Sequence, residues 1–131
     1  MLEPRVSIII PHWNGIEVLS ECLESLEKTT YPNLEIIVVD NASSDGSQDW
    51  VSLHYPSIKL IENNTNLGYA GGCNKGAKVC TGDYLVFLNN DTIHENNWIE
   101  TLADFLNLNS EVSAVQPKIL NNYEQNKFDY A

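Results

Sequence analysis

Basic residues are scarce in this sequence. Lys and Arg number 7 against 18 Asp and Glu, a formal net charge of −11 over 131 residues. Nucleic acid and anionic lipid both call for a basic surface, so this charge opposes either as a partner. Any anionic ligand must therefore find local compensation. Cysteine is also sparse: Cys22, Cys73 and Cys80 are an odd number without C-x-x-C spacing, which suggests neither a disulfide framework nor a zinc site. Reduced, buried thiols are expected. His12, His54 and His94 form no H-x-x-H or H-E-x-x-H pattern, which favours isolated core or surface histidines. No apolar run approaches the ~18 residues of a membrane span, and Met1 to Arg5 does not open a signal peptide. The expected location is cytoplasmic. Sequons at Asn41, Asn63 and Asn90 are what chance gives in an Asn-rich chain.

What is present fits one domain, or part of one. A hydrophobic content of 43% with 19% charged residues argues against disorder. Apolar runs rich in β-branched residues recur at Val6 to Ile10, Leu34 to Val39, Ile58 to Ile61, Tyr84 to Leu88 and Val112 to Val115. Most lack alternation, which predicts strands buried on both faces. Between them lie helical stripes: Ile16, Leu19, Leu23 and Leu26; Trp50, Val51 and Leu53; Ala70, Cys73, Ala77 and Cys80; Trp98, Leu102, Phe105 and Leu106. Strand and helix alternate through five strands, which predicts an α/β fold with a mostly parallel sheet and helices on both faces. The tail from Asn121 to Ala131 shows no clear periodicity and is expected to add no element.

Ligands of open parallel sheets bind beyond the carboxyl ends of the strands. The residues that follow the first four strands are Pro11-His12-Trp13-Asn14-Gly15, Asp40 to Gly46, Asn63 to Gly72, and Asn89-Asn90-Asp91-Thr92. Polar and Gly-rich sequence thus gathers on one edge. Helix capping explains any one such loop, with Asp45 or Ser47 as caps of the second helix and Asp91 or Thr92 of the fourth. Four on the same edge point to a ligand. The first loop lacks G-x-G-x-x-G, and Gly71-Gly72-Cys73-Asn74-Lys75-Gly76 is not a Walker A loop. Adjacent Gly71 and Gly72 admit two explanations: approach of backbone N–H groups to a phosphate, with Lys75 and Lys78 a turn on, or tight packing on the sheet. A strand-end aspartate about 4 Å from a diphosphate is repelled by roughly 4 kcal/mol per charge pair at an effective dielectric near 20. A divalent cation held by Asp91 and phosphate oxygens turns that repulsion into a bridge.

In that order and at these separations, VSIIIPHWNG, IIVVDNASSDGS, NTNLGYAGGCNKG and YLVFLNNDT resemble the N-terminal half of family 2 inverting glycosyltransferases of the GT-A fold, with bacterial rhamnosyltransferase-like members nearest. The resemblance covers nearly the whole chain. It implies that Pro11, His12, Trp13 and Asn14 line the base and ribose pocket, with the Trp13 ring available for stacking. It implies that Asp40 accepts the imide N–H of uracil or thymine, a contact cytosine does not offer, so UDP- or dTDP-sugars are the expected donors. Asn66, Gly71, Gly72 and Asn90 would lie along the donor pocket. Asp91 matches the last Asp of the family's Asp-x-Asp motif and would carry Mg2+ or Mn2+.

Two positions depart from the family pattern. Asn89 replaces the motif's first Asp, and His12 stands where a small residue or Val is frequent. In these enzymes the acceptor side and the catalytic base come from a C-terminal half. The 131 residues are therefore expected to be a truncated, donor-binding half, inactive alone, with the base beyond residue 131. The intact protein would act in bacterial polysaccharide biosynthesis on a saccharide or lipid-linked acceptor, in the cytoplasm or peripherally at the inner face of the membrane. His94 and Glu95 are expected to be exposed residues at a helix start. Two other readings stay open: a nucleotide-sugar-binding module without transfer activity, and an unrelated doubly wound regulatory domain.

Overall fold

The computed structural model describes residues 3–124 and 127–130. Gln125, Asn126 and Ala131 of the tail lie outside that set. Four of the expected runs pair as strands: β1 (Val6–His12), β2 (Leu34–Asp40), β3 (Lys59–Glu62) and β4 (Tyr84–Phe87). All pairings among them are parallel, in the order β3-β2-β1-β4. β1 is central, and each of its seven residues is buried. That is why its sequence does not alternate.

Both faces of the sheet carry helices. Ile8, Ile10 and Val38 face α1 (Ile16–Glu27), α2 (Ser47–His54) and α4 (Trp98–Leu108), which send in Leu19, Cys22, Leu23, Leu26, Val51, Ile99 and Ala103. Ile9, Ile37 and Val39 face α3 (Gly68–Ala77). Full burial of an isoleucine is worth about 1.5–3 kcal/mol, so the Ile8-Ile9-Ile10 run anchors both layers at once.

Some expectations need correction. Val112 to Val115 is not a strand: it runs without a ladder partner, and β-propensity without an adjacent edge does not make a strand. The tail does carry an element, β6 (Phe128–Tyr130), which pairs antiparallel with β5 (Ile119–Leu120) just before the tail. β4 is not covered on both faces. Leu85 and Phe87 are 41% and 51% exposed, because α3 lies over β1 and β2 and leaves β4 open. Leu53 on α2 and Phe105 on α4 point outward, and α4 packs through Ile99 and Ala103 instead.

The small residues of α3 set how closely it approaches the sheet. A Cβ on Gly76 would sit 2.4 Å from Ile9 Cγ2, and one on Gly72 would sit 2.9 Å from Pro11 Cβ. Packing thus accounts for the smallness of both positions. Gly71 and Gly72 lie inside α3, not in a turn before it.

Candidate functional site

The carboxyl ends of all four strands lie on one edge, and the strand order reverses between β1 and β4. In such sheets the crevice opens at the reversal, beyond the carboxyl ends. The loops there are tied by side chains to each other's backbones. Asn14, at φ 54°, donates its N–H to Ser43 Oγ (2.8 Å) and accepts the Ser44 N–H at Oδ1 (2.8 Å). Gly15 donates its N–H to Asp45 Oδ2 (2.7 Å), while Asp45 Oδ1 accepts the first N–H of α2, from Ser47 (3.1 Å). Asp45 thus caps α2 and ties it to the loop after β1. Its several hydrogen bonds, foremost from the Ser47 hydroxyl, hold its carboxyl below the usual range.

Asn41, 3% exposed, does the same for the loop before α3. Its Nδ2 donates to the Gly68 carbonyl (3.1 Å), and its Oδ1 accepts from Asn63 Nδ2 (2.9 Å) and the Leu67 N–H (3.4 Å). In the sequence Asn41 stands out only as a sequon and as one residue of a polar run. Its signal was its place directly after the last residue of β2, where a side chain can reach the adjacent loop.

Asp40 ends β2 and is 1% exposed. Its Oδ2 accepts the Ser43 N–H (2.9 Å) and Gln48 Nε2 (2.7 Å). Its Oδ1 is buried without a hydrogen-bond partner. Buried acceptors are rarely left so, because each costs about 1–3 kcal/mol. An external N–H would relieve it.

Trp13 is 57% exposed, with its ring open to a ligand. Pro11 and His12 are buried at the end of β1. Both His12 nitrogens are engaged: Nε2 is 2.8 Å from Ser47 Oγ and Nδ1 is 2.9 Å from Asn90 Nδ2. Burial lowers the His12 pKa, against the raising effect of Asp40 and Asp45. Asn66 is exposed, and its Oδ1 accepts the Gly68 N–H (2.8 Å) at the start of α3.

Asp91 is exposed on the loop after β4. Neither it nor Thr92 caps α4, which begins only at Trp98 with Asn97 at the N-cap. The capping explanation is thereby removed. Among the described residues no group of three or more His, Cys, Asp or Glu side chains gathers to hold a metal, so a cation here would depend on Asp91 and on ligand oxygens. The loop is fastened from behind. Thr92 Oγ1 is 2.9 Å from His94 Nε2, and Ser25 Oγ of α1 is 2.8 Å from His94 Nδ1. His94 is half-buried, stacks on Trp98 at 4.7 Å, and burial pushes its pKa down to about 4. It is thus no exposed helix-start residue; Glu95 beside it is exposed. At the opposite edge, where the strands begin, a cleft of about 280 Å³ lies beside Arg5, Glu35 and Lys59, away from these loops.

The family model for glycosyl transferase family 2 matches residues 7–130. The chain belongs to that family. A glycosyltransferase of Haemophilus influenzae is 32% identical over 115 residues, covering 86% of this chain and 36% of its own length. Glycosyltransferase GlyG of Streptococcus pneumoniae is 34% identical over 100 residues, covering 74% of this chain and 33% of its own. The family 2 chain therefore spans about a third of these relatives. Among solved structures, Staphylococcus aureus TarS in complex with UDP aligns with a TM-score of 0.72 at 21% identity, over 90% of this chain and 40% of that one. A mannosyltransferase from Pyrobaculum calidifontis, in complex with GDP-Man and Mn2+, aligns with a TM-score of 0.68 at 27% identity, over 90% of this chain and 34% of that one. The fold is GT-A. Family membership sets aside the unrelated regulatory domain. Among the described residues no helix is long and apolar enough to cross a membrane.

Proposed function

We propose that these residues form the nucleotide-sugar-binding half of an inverting glycosyltransferase that uses a UDP- or dTDP-sugar with a divalent cation. The observation that carries this is the unpartnered, buried Oδ1 of Asp40 at the crevice edge. An imide N–H of uracil or thymine satisfies it; cytosine, whose N3 is an acceptor, does not. Exposed Trp13 supplies a face for stacking the base. The nucleotide complexes of two structural relatives support the same ligand class.

Asp91 would hold Mg2+ or Mn2+. One carboxylate completed by phosphate oxygens and water suits magnesium, which usually keeps several waters, and Asp91 offers an exposed carboxylate on the loop after β4. Bound there, the cation would neutralise charge on the departing diphosphate. This chain's own part is to bind the base, orient the diphosphate and place Asp91. Transfer would be a single displacement at the anomeric carbon, with a base and an acceptor site supplied by a further region of the longer protein. Rhamnosyl donors, a polysaccharide or lipid-linked acceptor, and peripheral attachment at the inner face of the membrane belong to the same reading. The chain alone would bind donor without transferring sugar.

Thermal-shift titration with UDP and dTDP, each with and without Mn2+, tests the reading. The expected result is a rise in melting temperature that needs the metal and is lost in Asp91→Ala. Indifference to both nucleotides in the presence of Mn2+ would sink it.

A further inference from the structure

Resting on that reading, we infer that His12 is a positioning residue whose ring joins the loop carrying Asp91 to the loop following Asp40, holding the two sides of the donor crevice in register. Both of its ring nitrogens are already engaged, so its role lies in what it connects.

The donor and acceptor roles can be followed atom by atom. The Asn90 side-chain nitrogen can only donate, so His12 Nδ1, 2.9 Å away, accepts. A neutral ring that accepts at Nδ1 carries its hydrogen on Nε2, which donates to Ser47 Oγ at 2.8 Å. The Ser47 hydroxyl passes its own hydrogen to Asp45 Oδ1, and Asp45 Oδ2 takes the Gly15 N–H at 2.7 Å. One hydrogen-bonded line therefore runs from the loop after β4, through the end of β1, to the start of α2 and back to the loop after β1. It crosses the sheet where the strand order reverses.

Asp91 sits between two anchors. On one side its neighbour Asn90 is held by His12; on the other Thr92 is held through His94 to Ser25 of α1. Without a ring at position 12, Asn90 would lose its partner and Asp91 would keep only the anchor on the α1 side. Removing a group bonded directly to a metal ligand typically weakens metal binding by about 10–100-fold; His12 acts one residue away through Asn90, which puts its effect at the low end of that range. The base contact at Asp40 uses none of these atoms. Metal-dependent and metal-free affinities should therefore separate.

Isothermal titration of UDP with and without Mn2+ on the wild type, His12→Leu and His12→Asn tests this. His12→Leu should lose about tenfold more affinity with Mn2+ than without it. His12→Asn, whose Oδ1 can still accept from Asn90, should recover most of the loss. A uniform loss in both conditions, no loss in either, or no recovery in His12→Asn would overturn the inference. A long-range 1H–15N spectrum of the wild-type imidazole gives a check that needs no variant: the expected tautomer carries the proton on Nε2, and a proton on Nδ1 would refute the line of bonds. Wild type that binds no UDP under either condition would refute the donor-binding reading itself, whatever the tautomer.

Discussion

Asp40 shows how one side chain can sit in a conflict that binding resolves. Two protein donors satisfy Oδ2, and Oδ1 has none. In Asp40→Asn the amide oxygen would keep the Ser43 and Gln48 donors, and the NH2 would occupy the open position. That group repels an imide N–H and matches cytosine N3. We expect UDP to bind about tenfold or more weakly and CDP to gain relative to UDP. Competition binding on the folded variant measures both changes. An unchanged UDP to CDP ratio would show that Asp40 does not read the base. At this scale the sequence placed Trp13, Asp40 and Asp91 at or just beyond strand ends, where the structure also has them. It did not reveal the partners of His12 or that Asn41 bridges two loops, since each depends on which loop the register brings alongside.

The elements divide the glycines of α3 by what they touch. Gly76 faces Ile9, a β-branched, fully buried residue in the central strand, and a Cβ there would meet Cγ2 at 2.4 Å. Ala gains about 1 kcal/mol over Gly in helix propensity, but overpacking against an immovable side chain costs about 1–3 kcal/mol. Gly76→Ala should therefore destabilise the protein by up to about 2 kcal/mol, read from the urea midpoint at constant slope. A Cβ on Gly71 would meet the Leu67 Cβ at 2.6 Å, an atom that moves only with its backbone at the start of α3, so Gly71→Ala should also be destabilised. The stripe Ala70, Cys73, Ala77 and Cys80 identified the helix from spacing, but the residue set closest to the strand is Gly72, Cys73 and Gly76. Hydrophobic periodicity has no way to register glycine as a contact surface. β4 shows the same limit, since its apolar run predicts cover on both faces, whereas cover depends on where α3 comes to lie.

Acid acts on this molecule in two separate windows. Burial holds the His94 pKa at about 4, below the ordinary histidine value of 6.5. Between those values the unfolded chain binds the proton and the folded chain does not, so stability is full above pH 6.5 and falls as the pH drops toward 4. Each unit of that window is worth about 1.4 kcal/mol, so stability should fall by about 2 kcal/mol from pH 7 to pH 5. His12, also lowered, acts in the same direction. Burial alone would raise the Glu35 pKa, but hydrogen bonds from Ser7 and Thr81 and the charge of Arg5 outweigh it and hold the carboxyl low. Its contribution is present above the unfolded value of 4.5 and lost as the pH falls further. Urea unfolding at pH 7.5, 6.0 and 5.0 measures the His94 window. His94→Gln should show a shallower decline than the wild type, and equal slopes would refute the assignment.

The sequence by itself determined the alternation of strand and helix, the parallel class of the sheet and the edge on which chemistry is placed. Those follow from short-range physics: apolar runs demand burial, and polar strand ends demand either caps or a ligand. Tertiary structure alone decided that Val112 to Val115 finds no partner, that Asp91 is not a cap, that Asp40 keeps one oxygen unpaired, and that His12 joins two loops. Each is a statement about neighbours distant in the chain. A residue's own chemistry sets what it can bond to, and only the packing of the sheet decides which groups it meets.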